Sequence, residues 1–268
     1  MANALIQGAS RGIGLQFCKH LLDTRSSLKI IATCRRPEEA TELQQLRKEN
    51  PQNLEILQLD VANEDQIKDV SSAVKQLLHG NPASTGGLDL LINCAGILHP
   101  SGRGETSLKA VSQEALMSTF ATNTIGPLLM AKHFGEFLTK GGGEFGKAAA
   151  DGGKPHSAVL VNMSARVGSI TDNKLGGWYS YRMSKSALNS ATKNLSVEFS
   201  RGRKKVICIS LHPGTVDTEL SRPYHRNVPE GKLFSAEYSV KKMMEVVENV
   251  SVEDSGKFFD FAGLEIPF

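Results

Sequence analysis

Tyr181 and Lys185 stand four residues apart in the run YSYRMSKSAL, a spacing that places two side chains on one face of a helix. A free phenol titrates near ~10 and is a poor acid–base catalyst at neutral pH. An ammonium one turn away favours tyrosinate and lowers that value. The pair is therefore a candidate proton donor to a carbonyl oxygen while a hydride reaches the carbon. Tyr179 has Met183, not a cation, four residues on, and is assigned to packing or pocket lining. The complementary half is QGASRGIG, with Gly8, Gly12 and Gly14. Chemistry on a dinucleotide needs a tight strand-to-helix turn whose backbone meets a pyrophosphate at a helix N-terminus. Gly8 permits the turn, Gly12 admits the phosphate, and Gly14 lets the helix pack closely. The spacing is GxxxGxG, not the GxGxxG of other dinucleotide turns.

Which dinucleotide is held follows from the end of the second strand. A carboxylate there accepts hydrogen bonds from a ribose 2′-hydroxyl and repels a 2′-phosphate. This chain reads Ala32-Thr33-Cys34-Arg35-Arg36, with no acid. Arg35 or Arg36 can make charge-assisted bonds to a phosphate, and Arg11 in the glycine turn is a second cation nearby. NADP(H) is expected, with NAD(H) as the alternative.

These groups need a scaffold, and the pattern supplies one. Short apolar runs at 3–6, 28–34, 54–59, 88–93, 157–163, 205–210 and 257–261 read as strands. Helical periods fill 12–22, 38–49, 64–79, 112–139, 178–200 and 235–249. Near-continuous apolar strands call for burial on both faces, and strict alternation with helices gives an α/β, Rossmann-type, doubly wound sheet. Seven parallel strands in a single domain spanning 1–268 are expected. Residues 140–155, KGGGEFGKAAADGGKP, read as a flexible surface insertion. Residues 217–235 read as an irregular loop able to close over a substrate, with Arg222, Tyr224, His225 and Arg226 as its candidate contacts.

Four segments in this order resemble the short-chain dehydrogenases/reductases over essentially the whole chain. They are QGASRGIG, with Gln7 for the usual threonine; Asn93-Cys94-Ala95-Gly96, with Ile92 for the usual first asparagine; Tyr181 to Lys185 as YxxxK; and Pro213-Gly214. The stretches WYSYRMSKSALNSATKNL and FFDFAGLEIPF look most like the sniffer-like and C-factor-like carbonyl reductases of that family. The resemblance implies that Ser10 and Ile13 share the glycine turn's contacts with the cofactor. It implies that Asp60 and Val61 hold the adenine, and that Asn93, Ala95 and Gly96 line the ribose side. Pro213, Gly214 and Val216 would meet the nicotinamide amide, Lys185 its ribose, and Asn123 would hold a relay water near the lysine. One position departs from the family. Its catalytic serine precedes a glycine by three residues, and counting back from Gly168 lands on Ala165. Ser164 is the expected substitute, Ser169 the next, and a missing donor the third reading, because a one-residue step along a strand reverses the face.

Composition excludes other classes. The chain has 268 residues, 31 Lys and Arg against 28 Asp and Glu, and a net charge of +3. That excess, evenly spread, gives no nucleic-acid footprint, and no apolar run approaches the ~18 residues of a membrane span. Four dispersed cysteines, Cys18, Cys34, Cys94 and Cys208, read as buried cytosolic thiols. No metal-ligating pair of histidines is present, and no metal is expected. Nor does the amino terminus, where apolar residues 4–6 run into the glycine turn, read as a signal or transit segment. The expectation is a cytoplasmic NADPH-dependent reductase of a small carbonyl compound, with a homo-oligomer left open. The alternative is an NADP(H)-binding regulatory protein with weak or no turnover.

Overall fold

A computed structural model of the chain describes residues 2–79, 86–147, 156–202 and 205–268. Strands β1 (Asn3–Gln7), β2 (Lys29–Cys34), β3 (Leu54–Gln58), β4 (Leu90–Asn93), β5 (His156–Met163) and β6 (Lys205–His212) run along the chain in that order. A two-residue pair, β7 (Thr215–Val216) and β8 (Leu233–Phe234), precedes β9 (Phe258–Asp260). The main sheet has seven strands in the order β3-β2-β1-β4-β5-β6-β9, every pairing parallel. Its helices are α1 (Gly12–Thr24), α2 (Thr41–Glu49), α3 (Glu64–His79), α4 (Gln113–Phe120), α5 (Gly126–Thr139), α6 (Tyr179–Phe199) and α7 (Ala236–Asn249).

The double winding is visible in single strands. Ala4 and Ile6 of β1 enter one core with Phe17 and Leu21 of α1 and Met243 and Val247 of α7. Leu5, between them, enters the other core with Ile67 and Val74 of α3 and Met130 and Phe134 of α5. Successive side chains of a strand point to opposite faces, so in a sheet covered on both sides consecutive positions are apolar.

Three expectations change. The single helix at 112–139 is interrupted: residues Ala121–Ile125 form a π-helical turn between α4 and α5. Pro127 has no N–H to offer the carbonyl of Asn123, and Gly126 N–H reaches back five residues to Ala121 O. The described part of 140–155 is not a loose insertion. Phe145 is fully buried, and Gly142 and Gly143 donate to Asp89 Oδ1 and Ser157 O; residues 148–155 lie outside the described residues. The loop 217–235 carries regular structure, being pinned at its ends by the β7–β8 pair and holding a 3₁₀ turn at Arg222–Asn227.

Candidate active site

Strand order reverses between β1 and β4, where open α/β sheets hold their ligands. There the carboxyl ends of the strands line a cleft of about 1030 Å³. One half of this cleft is made of backbone. Gly8 and Gly12 have φ of +84° and +56°, values that favour glycine. The buried Gln7 accepts the N–H of Ala95 at 3.1 Å and so draws the loop after β4 across Gly8. A Cβ at Gly8 would lie 2.6 Å from Ala95 N, and one at Gly14 only 2.2 Å from Gly8 O. Close packing thus falls on Gly8 as well as Gly14. At the N-terminus of α1, Arg11 makes no side-chain cap and no acid stands in the first turn. The free N–H groups and positive end of the helix are left to the cleft.

Ser10, Ile13, Asp60, Val61, Ala95, Gly96, Pro213, Gly214 and Val216 join this lining. Asn63 caps α3, its Oδ1 accepting Gln66 N–H at 3.2 Å. Arg35 also lines the cleft, and among the described residues no acid pairs with it. Arg11 lines it too, paired with Glu219 at 2.9 Å with both side chains largely exposed. Arg36 turns away to Glu39 at 2.8 Å, as residues three apart in a helical turn readily do. The glycine cradle, the uncapped helix end and Arg35 together fit a phosphate-bearing dinucleotide.

Two expected contacts lie outside the cleft. Asn93 is buried in the sheet and donates to Asn162 Oδ1 at 2.8 Å, starting a polar chain through Asn162 to Thr192. Asn123 is fully buried, and its amide is consumed: Oδ1 accepts Ile97 N–H, while Nδ2 donates to Ile97 O and Ser184 Oγ. It therefore ties the loop after β4 to α6. It still neighbours the lysine, for a Cβ at Gly96 would lie 3.4 Å from its Oδ1 and 3.6 Å from Lys185 Nζ.

The other half of the cleft is made of side chains. Helix α6 begins at Trp178, whose φ of +48° is a rare value for a large residue. Glu105 secures this start: its carbonyl accepts Trp178 N–H and its buried carboxylate accepts Ser180 N–H at 3.2 Å. One turn on, Tyr181 and Lys185 are both buried against the cleft. Lys185 Nζ donates to Met163 O at 2.8 Å and lies 5.8 Å from the centroid of the Tyr181 ring. Burial lowers the lysine to about 8. Burial also pushes the Tyr181 phenol above its ordinary value, with a smaller push from Tyr224. The expected lowering of the phenol by the ammonium does not appear: burial and Tyr224 both push it up, and no opposing pull from Lys185 acts on it.

Ala165 packs with Leu98 and Tyr181, putting a methyl where the family pattern has a hydroxyl. Ser164 lines the cleft, but its hydroxyl donates to Asn189 Oδ1 of α6 at 2.7 Å. The Ser169 hydroxyl accepts Asp172 N–H at 3.1 Å, and Ser169 is not part of the lining. Sequence reasoning named Gln7 only as a substitution in the glycine turn, and missed Leu98 and Trp178. Only Trp178 carried a signal, as the sole tryptophan behind two glycines. Among the described residues no helix is long and apolar enough to cross a membrane.

Comparison with known proteins agrees with this geometry. The pattern described as short chain dehydrogenase matches residues 2–229. An NADPH-bound carbonyl reductase from chicken fatty liver is 33% identical, with a TM-score of 0.84 and coverage of 100% of this chain and 98% of its own. The carbonyl reductase Sniffer of D. melanogaster is 31% identical, with a TM-score of 0.84 and full coverage of both chains. The C-signal protein of Myxococcus xanthus is 32% identical over 184 residues, covering 69% of this chain and 95% of that protein.

Proposed function

The chain belongs to the short-chain dehydrogenase family of oxidoreductases, and from that premise we propose that it reduces a carbonyl compound to an alcohol with NADPH, Tyr181 giving the proton. The carrying observation is the buried Tyr181–Lys185 pair on one face of α6, opening into the same cleft as the glycine turn. The likeness to an NADPH-bound carbonyl reductase supports the choice of cofactor, as does Arg35, which lines the cleft and among the described residues has no acid partner. The α1 N-terminus and Gly12 would hold the pyrophosphate, Arg35 with Arg11 the 2′-phosphate, and Gly96 and Lys185 the nicotinamide side.

When bound, NADPH supplies the hydride that reaches the carbonyl carbon. The protein's part is the proton. A donor must begin protonated, and burial keeps the Tyr181 phenol so at neutral pH. As the carbonyl π bond breaks, its oxygen takes the phenol's proton. Lys185, at about 8, is still mostly charged at neutral pH and stabilises the phenolate left behind. The phenolate regains its proton from solvent.

The test is NADPH consumption with a panel of quinones, aldehydes and ketones. Tyr181→Phe should lower kcat by about 10²–10⁴-fold while the NADPH dissociation constant stays within threefold; a loss under tenfold removes Tyr181 from its role. The same binding measurement with NADH checks Arg35, since tighter NADH overturns the phosphate argument. Ala165 and the likeness to C-signal favour one second reading, an NADP(H)-binding regulatory protein. Tight NADPH binding without turnover on any panel member would select it.

A further inference from the structure

The reductase reading leaves one group unassigned. A carbonyl oxygen gaining negative charge is best met by a second hydrogen-bond donor besides the one that gives its proton. Ala165 offers none, and the Ser164 and Ser169 hydroxyls are engaged with Asn189 and the backbone at Asp172. The other face of the cleft holds a hydroxyl that is not engaged. Tyr224 lies in the 3₁₀ turn of the loop between β7 and β8, and it packs on the cluster formed by Leu98, Ala165 and Tyr181. Its ring lies 5.0 Å from Trp178, which in turn lies 6.3 Å from Tyr181, centroid to centroid. Among the described residues neither phenol oxygen is hydrogen-bonded to the protein, and both side chains line the cleft.

We propose that Tyr224 is a catalytic residue that donates a hydrogen bond to the carbonyl oxygen, filling from the loop side the role that Ala165 cannot fill from the strand. The proposal rests on the reductase reading. The two phenols would grip one oxygen, Tyr181 transferring its proton and Tyr224 keeping its own. Burial holds the Tyr224 phenol up, to about 12, so it stays a donor across the working pH range. The apolar walls provided by Leu98, Val167 and Leu220 keep the local dielectric low, where such a bond is worth more than in water. Trp178, buttressed by Gly104, fixes the Tyr224 ring: a Cβ at Gly104 would come within 2.4 Å of the indole.

The experiment uses the panel compound with the highest kcat/KM, and acetophenone as a binding probe read by fluorescence. Trp178 is the sole tryptophan and touches the Tyr224 ring, so its quenching reports occupancy of this pocket without turnover. Tyr224→Phe keeps the ring and removes the hydroxyl. It is expected to lower kcat about 100-fold and to leave KM, the NADPH dissociation constant and acetophenone binding within threefold. Adding Ala165→Ser to that variant should recover at least tenfold in kcat, because either hydroxyl can meet the same oxygen. A kcat within threefold of the parent, or a loss confined to KM, overturns the proposal. So does a double variant with no recovery. If Tyr181→Phe is inactive and Tyr224→Phe is not, the inference falls and the reductase reading stands. A parent protein silent on the whole panel overturns both.

Discussion

The two halves of the cleft are built by different means. The half at β1 and α1 is backbone: glycines, an uncapped helix end and a loop held by Gln7, with contacts fixed to tenths of an ångström. The half at α6 and the 217–235 loop is side chains: Trp178, Tyr181, Lys185 and Tyr224, brought from two separated segments. At Gly8 and Gly14 the first tolerates no added atom, whereas the second is defined by which oxygen or nitrogen stands where. A scaffold that presents phosphate-binding N–H groups can therefore be shared by many substrates, while the reacting half is free to exchange a serine for something else.

That contrast can be broken. Gly14→Ala adds one carbon whose position is 2.2 Å from Gly8 O, a backbone atom that cannot swing aside. It should cost more than ~3 kcal/mol in stability, at or beyond the usual range for overpacking, and weaken NADPH binding at least 100-fold. Thermal unfolding and a binding titration check both, and a variant with parental values would show that this half is not limited by close packing.

Changes in the reacting half should act through charge. Lys185 titrates at about 8 in the folded protein against an ordinary 10.5. Between those values the unfolded chain binds more protons than the folded one, so this group's contribution to stability rises with pH. Lys185 is thus a burden of up to ~3 kcal/mol below pH 8, relieved as pH climbs towards 10. Lys185→Met should raise unfolding stability at pH 7, and its advantage should shrink by pH 9.5 in denaturant melts of the cofactor-free protein. An advantage independent of pH would assign the effect to packing instead.

The smallest effect is expected at Ser164. Its hydroxyl is bonded to Asn189. Ser164→Ala should change kcat less than threefold and cost about 1 kcal/mol in stability. A 100-fold loss of kcat would restore Ser164 as the donor and displace Tyr224.

Much of the frame was legible, and the reasons are local. The seven strands could be read because burial on both faces leaves most of them near-continuous apolar runs. The glycine turn could be read because positive φ and close approach restrict residue type at fixed spacing. The π-helical turn at Ala121–Ile125 was missed because the helical period was read straight through Pro127, the residue whose missing N–H carried the clue. The side-chain partners of Arg36, Asn93 and Asn123 could not be read because residue type does not say which neighbour takes a side chain's hydrogen bonds. Arg36 pairs with Glu39, Asn93 with Asn162, and Asn123 with Ile97 and Ser184.

From its residues alone this chain specified a doubly wound sheet, a nucleotide-type turn, and a tyrosine and lysine on one helical face. Periodicity and glycine spacing are properties of neighbours along the backbone, so the sequence carries them directly. It could not specify whether the phenol would be acidified or held up, which serine hydroxyl was spent on Asn189, or that Tyr224 would pack against the cluster that holds Ala165. Desolvation and hydrogen-bond partnership depend on atoms dozens of residues apart in the chain, and only the folded packing brings those together.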